Sequence, residues 1–261
     1  MLRGIDVSTL QGTIAWSRVK RAGVDFAMIK ATQGRGEGAA TRYLNVFTDS
    51  QFVKNIQGAS ASGIACGVYH YFTATTTEEV DREAEYFIAA IRPYRDKITL
   101  WAAVDVESEV YLNKLSKYQL KSLVQRFLRK VSAAGFLPML YTNPNYLVYR
   151  FEPGTFAETP IWLAHWGVSK PYEGVNPEIW QFGVGRIDGI KTDVDHNYGY
   201  FVLDDKISRK YAVGDKYTVK PGDVYSNGRE VPARLVSNEY TISQVRDDRI
   251  LLRELVSWVK I

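Results

Sequence analysis

The segment Leu100-Trp101-Ala102-Ala103-Val104-Asp105-Val106-Glu107 closes an apolar run on two carboxylates. Alternate side chains of a strand share a face, so Asp105 and Glu107 point the same way. A carboxylate among apolar neighbours loses hydration, and a second one on the same face repels it, so their proton affinities separate. One acid then keeps its proton near neutrality while the other stays charged. Cleavage of a glycosidic bond uses that division, with a proton for the leaving oxygen and negative charge for the developing cation. Asp-x-Glu alone is a common pattern, and two solvated acids at a strand end are its plain alternative.

Elements on either side must hold these acids in place. Short apolar runs predict strands at Leu2–Val7, Asp25–Ala31, Ala65–Tyr71, Thr99–Val106, Leu137–Tyr141, Ile161–Ala164, Glu178–Phe182 and Thr192–Asp195. Amphipathic stretches alternate with the early strands. Val80, Ala84, Phe87, Ile88 and Ile91 form one helical stripe, and Leu120, Leu123, Val124, Phe127, Leu128 and Val131 form another. Ser116 with Gln119 reads as a capping box, and Gly135 as the stop. Strand–helix repetition calls for parallel strands, and eight of them for an α/β fold of the (β/α) TIM-like barrel kind. The later connections are poor in helix, so the barrel is expected to be irregular.

In such a barrel, working residues collect where strands end. Those positions hold Asp6, Lys30, Tyr69, Tyr71, Asp105, Glu107, Tyr141, Trp162, Gln181 and Asp195. Four carboxylates thus converge on one rim from three strands. Taken alone, Asp6 serves equally as a hydrogen-bond partner of Ser8, and Asp195 as a turn former. Asp195 gains weight because the last barrel strand neighbours the first. His70, His165 and His196 show no helical ligand spacing, so no metal is expected. No Gly-x-Ser-x-Gly elbow is present, and Gly34-x-Gly36-x-Gly38 reads as a flexible loop rather than a dinucleotide site. No cofactor is called for.

The bulk composition narrows the partners. With 33 basic residues against 29 acidic ones and no basic run, nucleic acid is not an expected partner, whereas an anionic wall polymer is compatible. The single cysteine, Cys66, lies in an apolar run and reads as a small buried hydrophobe. No stretch has the length of a membrane span, and the first residues lack an apolar signal core. After residue 205 the pattern changes. Residues 206–212 read as a linker, and 213–261 carry short β-runs and turns such as Pro221-Gly222-Asp223 and Asn227-Gly228, the grammar of a small all-β domain.

An ordered set of short motifs resembles the glycoside hydrolase family 25 muramidases, the Chalaropsis-type lysozymes. It comprises Gly4-Ile5-Asp6-Val7-Ser8, Phe26-Ala27-Met28-Ile29-Lys30-Ala31-Thr32, Gly67-Val68-Tyr69-His70-Tyr71-Phe72 and Asp105-Val106-Glu107. Tyr141-Thr142, Ile161-Trp162-Leu163-Ala164, Ile179-Trp180-Gln181-Phe182 and Val194-Asp195-His196-Asn197 complete it, over about residues 2–203. The resemblance implies cleavage of the β-1,4 bond between N-acetylmuramic acid and N-acetylglucosamine of bacterial peptidoglycan. Glu107 would be the general acid, and Asp105 would stabilise the reacting sugar or orient its 2-acetamido group, leaving the nucleophile open between the two. Asp6 and Asp195 would shape the charge of the site and bind substrate, while Tyr69, Tyr71, Tyr141 and Trp162 would line the groove, beside Lys30 and Gln181. One departure is Gln33, where many members carry an acid.

The tail resembles bacterial SH3-like wall-binding modules, with Tyr225, Tyr240 and Trp258 as candidate contact aromatics for a wall ligand. The same rings would serve as the core of so small a domain. The implied role is that of a phage endolysin, held in the host cytoplasm without a signal peptide and released onto the wall. The alternatives are a chitinase-like barrel glycosidase and a non-catalytic wall-binding protein on the same fold.

Overall fold

The computed structural model describes residues 1–35, 46–203, 211, 214–245 and 249–261. Gly36 and Gly38, and most of the expected linker, lie outside the described residues. Eight strands close a barrel: β1 (Leu2–Val7), β2 (Phe26–Gln33), β4 (Ala65–Tyr71), β5 (Ile98–Asp105), β6 (Pro138–Thr142), β7 (Ile161–Ala164), β8 (Ile179–Gly185) and β9 (Val194–Gly199). A two-residue strand, β3 (Phe47–Thr48), adds antiparallel to the end of β2. Helices α1 (Trp16–Arg21), α2 (Phe52–Ala61), α3 (Thr77–Ile91), α4 (Glu109–Leu112) and α5 (Lys117–Ala133) serve the first four connections of the barrel, with α4 and α5 both between β5 and β6. The Ser116–Gln119 capping box is formed at the start of α5, a device worth about 1 kcal/mol.

The expectation of an all-parallel barrel fails at its last strand. β9 runs antiparallel to both β8 and β1. A parallel return needs a crossover of roughly a dozen residues or more, and residues 186–193 are too few, so the chain makes a hairpin instead. The reversal has a consequence for chemistry. Asp195 lies near the start of β9, yet that start sits on the same rim as the far ends of the parallel strands.

Strand alternation separates two cores. Val7, Ala27, Ile29, Val68, Val104, Leu140 and Leu163 face outward and pack under Val80, Phe87, Leu120 and Phe127 of the helices. Phe26, Met28, Trp101, Ala103 and Met139 fill the barrel itself, with Tyr69, Tyr141 and Trp162 above them. Two glycines make room for that filling. A Cβ on Gly4 would stand 2.2 Å from the Phe26 ring, and one on Gly67 would stand 2.3 Å from the Met28 sulfur. Where helices are missing on the later flank, loops leave a cavity of about 580 Å³ lined by Phe151, Phe156 and Tyr172 among others. No rim carboxylate borders it.

A separate sheet follows, ordered β10 (Lys216–Thr218), β11 (Glu239–Val245), β12 (Arg249–Leu252) and β13 (Ser257–Lys260), antiparallel throughout. It has its own core of Tyr217, Val219, Tyr240, Ile242, Ile250, Leu252 and Val259. Tyr240 is therefore part of the packing of this module and not of its surface.

Candidate active site

The barrel interior changes from apolar to polar at the rim. Asp6, at the end of β1, is the hub of the polar layer. Its Oδ2 accepts hydrogen bonds from the side-chain amides of Gln181 (3.0 Å) and Asn197 (2.8 Å). The Asn197 carbonyl oxygen in turn accepts from the Trp162 indole at 2.8 Å. The Gln181 carbonyl oxygen accepts from the Tyr141 hydroxyl (3.1 Å) and the Trp166 indole (3.0 Å). Tyr141 also lies 3.4 Å from Glu107 Oε2, and its single proton serves one acceptor at a time. A chain of hydrogen bonds therefore runs from Trp162 through Asp6 to the edge of Glu107.

Asp6 and Asp195 are directly opposed across the β1–β9 pair. Burial first, and then the charge of Asp195, push the Asp6 carboxyl up to about 8, against the pull of its two amide donors. Asp6 is thus neutral at pH 7. Burial also raises the half-exposed Asp195, whereas the hydrogen bond from Asp6 lowers it, so one proton is held between the two acids.

Asp105 and Glu107 behave as a second pair. The strand stops at Asp105, which is buried, while Glu107 stands just beyond it and is partly exposed at the mouth. Burial and then Glu107 drive Asp105 well above the ordinary carboxylate range, and the charge of Lys30 draws it back. Asp105 Oδ1 is buried without a hydrogen-bond partner among the described residues. The Tyr69 and Tyr141 hydroxyls are pushed up by burial and then by the surrounding carboxylates, so both remain protonated donors.

Lys30 lies 2.6 Å from Gln33 Oε1 and 5.0 Å from the centre of the Tyr71 ring. A register shift between Lys30 and Thr32 lets Gln33 pair beside Tyr71, on the groove side. With a neutral amide at position 33, that residue holds Lys30 without cancelling its charge. Trp162 is only 1 % exposed. It meets Tyr141 and Tyr69 edge-on at 4.5 and 5.7 Å and packs beneath them in the barrel core, so the expected substrate contact falls to the rings above it and not to Trp162.

Behind this wall, His70 faces outward from β4 and is fully buried against Phe127. It bridges Thr32 Oγ1 (2.7 Å) and Glu83 Oε2 of α3 (2.8 Å). Thr73 donates to the same carboxylate from its hydroxyl (2.7 Å) and its backbone (3.2 Å). A Cβ on Gly34 would overlap Thr73 Oγ1 at 2.0 Å and Glu83 Oε1 at 2.2 Å, so the glycine lets the end of β2 close over the cluster. The strand ends bearing Lys30, Gln33 and Tyr71 are thereby tied to α3.

Residues 5–190 match glycosyl hydrolases family 25. The chain belongs to this family. It is therefore a glycoside hydrolase. It is 33% identical over 207 residues to lysozyme M1 of Streptomyces globisporus, covering 75% of this chain and 67% of that one. An autolytic lysozyme of Clostridium acetobutylicum is 28% identical over 222 residues, 85% of this chain, of which this chain spans 60%. The crystal structure of the bacterial lysozyme from Streptomyces coelicolor superposes with a TM-score of 0.64 at 29% identity, covering 77% of this chain and 93% of that one.

In this family 25 chain two polar-layer residues escape a reading by strand ends. Asn197 lies two residues beyond Asp195 and shares its face, so alternation within Val194-Asp195-His196-Asn197 contains the signal. Trp166 sits in an irregular loop after β7, 48% exposed, and no periodicity singles it out.

Proposed function

We propose that this glycoside hydrolase is an N-acetylmuramidase, cleaving the β-1,4 bond between N-acetylmuramic acid and N-acetylglucosamine in peptidoglycan. One observation carries the assignment of roles: the buried Asp105 presents an unpartnered oxygen beside the partly exposed Glu107 at the groove mouth. The lysozyme relatives support the choice of bond. Glu107 gives a proton to the leaving oxygen as the glycosidic bond breaks. Asp105 Oδ1 accepts the N–H of the 2-acetamido group and turns its carbonyl oxygen toward the anomeric carbon, where the new bond forms. Glu107, now ionised, then takes a proton from water, whose oxygen displaces the acetamido oxygen. In this reading the substrate's own acetamido oxygen, oriented by Asp105, is the attacking group, and no covalent enzyme ester forms.

Digestion of purified peptidoglycan, followed by reduction and mass spectrometry, tests the bond. Muramitol-terminated products are expected, and glucosaminitol ends or no products overturn the reading. Glu107→Gln should lower turnover by about 10²–10⁴-fold with wall binding retained. Near-normal turnover in that variant would refute the role of Glu107.

The same reading gives residues 213–261 the part of an SH3-like wall-binding domain, supported by four short antiparallel strands around a core of their own. It gives the whole chain the part of a phage endolysin, stored in the host cytoplasm and released onto the wall. Deleting the module should weaken sedimentation with insoluble wall more than cleavage of soluble fragments; equal effects on both would remove it from wall recognition.

A further inference from the structure

Among the described residues, the two non-glycine residues in the left-handed backbone region both lie in the C-terminal module, Ser237 at φ 65° and Val256 at φ 47°. Val256 is the unusual one. A β-branched side chain is among the least suited to this region, and the last position of a short hairpin turn ordinarily takes glycine or asparagine. The turn joining β12 to β13 has valine there. Packing does not repay the strain, because Val256 is 81% exposed. Strain and an exposed apolar group thus coincide in one residue, and neither assists folding. Strained residues of this kind gather where a ligand is held.

A groove of about 560 Å³ lies beside it, lined by Val256 with Tyr225, Ser226, Asn227, Arg229 and Trp258 among its walls. Its two aromatic residues are fixed by the backbone. Ser226 N donates to Trp258 O at 2.9 Å, and Tyr225 bridges to Val259 in the neighbouring strand. Hairpin hydrogen bonds from Tyr225 N to Arg229 O (2.8 Å) and from Arg229 N to Asn227 Oδ1 (3.0 Å) set the opposite bank. The groove therefore brings two aromatic side chains, an apolar isopropyl group, and hydroxyl, amide and guanidinium groups together in one place. A pyranose ring has the matching character, with C–H faces for an aromatic ring and hydroxyls at its edge. An acetamido substituent adds a methyl group suited to Val256 and an amide suited to Asn227 or Arg229.

We propose that this groove is a second glycan site, binding an N-acetylated sugar strand of the polymer that the barrel cleaves. The choice of glycan rests on the muramidase reading; the existence of the groove does not. Holding the strand at a second point raises the effective concentration of the next bond at the barrel mouth.

The test uses the full-length chain carrying Glu107→Gln, so that the sugar is not consumed. The Trp258 indole N–H resonance, assigned by loss in Trp258→Phe, is followed while an N-acetylglucosamine tetramer is added. It should shift with saturation, whether or not the barrel is occupied. Val256→Gly relieves the strained turn, so the melting temperature of the module should rise by several degrees. Binding at the Trp258 resonance should weaken by about tenfold, the worth of burying one valine side chain at the lower end of its range. A static Trp258 resonance, a response to wall peptides alone, or unchanged affinity in Val256→Gly would each overturn the proposal. Wild-type digestion of peptidoglycan, run in parallel, shows separately whether the muramidase reading stands.

Discussion

Asp6→Asn replaces the buried acid by a near-isostere of its protonated form. The amide oxygen of the new side chain takes the place of Oδ2 and accepts from Gln181 and Asn197, which now stand 3.0 and 2.8 Å from it. Its NH₂ points at Asp195, as the carboxyl proton does in the native chain. Between the ordinary aspartate value near 3.8 and about 8, folded Asp6 holds a proton that the unfolded chain has released. Stability therefore declines as pH rises through that window and levels off above it, while below about pH 4 both states are protonated and nothing is lost. At about 1.4 kcal/mol per pH unit, the 4.2-unit window from 3.8 to about 8 makes the full cost at pH 8–9 about 5–6 kcal/mol. Asparagine carries none of it. Thermal or urea unfolding from pH 4 to 9 should show Asp6→Asn equal to the native chain at acid pH and ahead by about 10 °C at pH 8–9. Parallel stability curves for the two proteins across this range would refute a neutral Asp6.

Two further outcomes follow from the same polar layer and its support. Trp166→Phe removes an indole donor from Gln181 and leaves that carbonyl with Tyr141 alone, so kcat/KM on soluble wall fragments should fall by about 5–10-fold with little change in melting temperature. Unchanged kinetics would make Trp166 a bystander. Glu83→Gln replaces one of the acceptor oxygens that hold His70 and Thr73 by an amide donor, for a loss of about 1–3 kcal/mol in urea unfolding; a loss under about 0.5 kcal/mol would show that the cluster contributes little to tying β2 and β4 to α3.

The early strands, the two amphipathic helices and the capped start of α5 were legible in the chain because they depend on local properties, namely side-chain period, capping chemistry and turn residues. The same period put Asp105 on the inward side at the end of β5, with Glu107 two residues on and just beyond the strand, and the spacing of the motifs pointed to the family. Long-range geometry decided the rest. The direction of β9 depends on a link too short to cross the barrel, and that direction alone makes Asp6 and Asp195 cross-strand partners. Trp162 became core because Tyr69 and Tyr141 cover it from other strands, and Asn197 joined the site because its amide lies between Trp162 and Asp6. In the tail, residue type marked Tyr225, Tyr240 and Trp258 alike, while packing placed Tyr240 in the core, Tyr225 against that core at the edge of a groove, and Trp258 along the groove. A sequence states what each residue can do over a few neighbours; whether a carboxyl is buried, paired or neutral depends on the distant strand that removes its water.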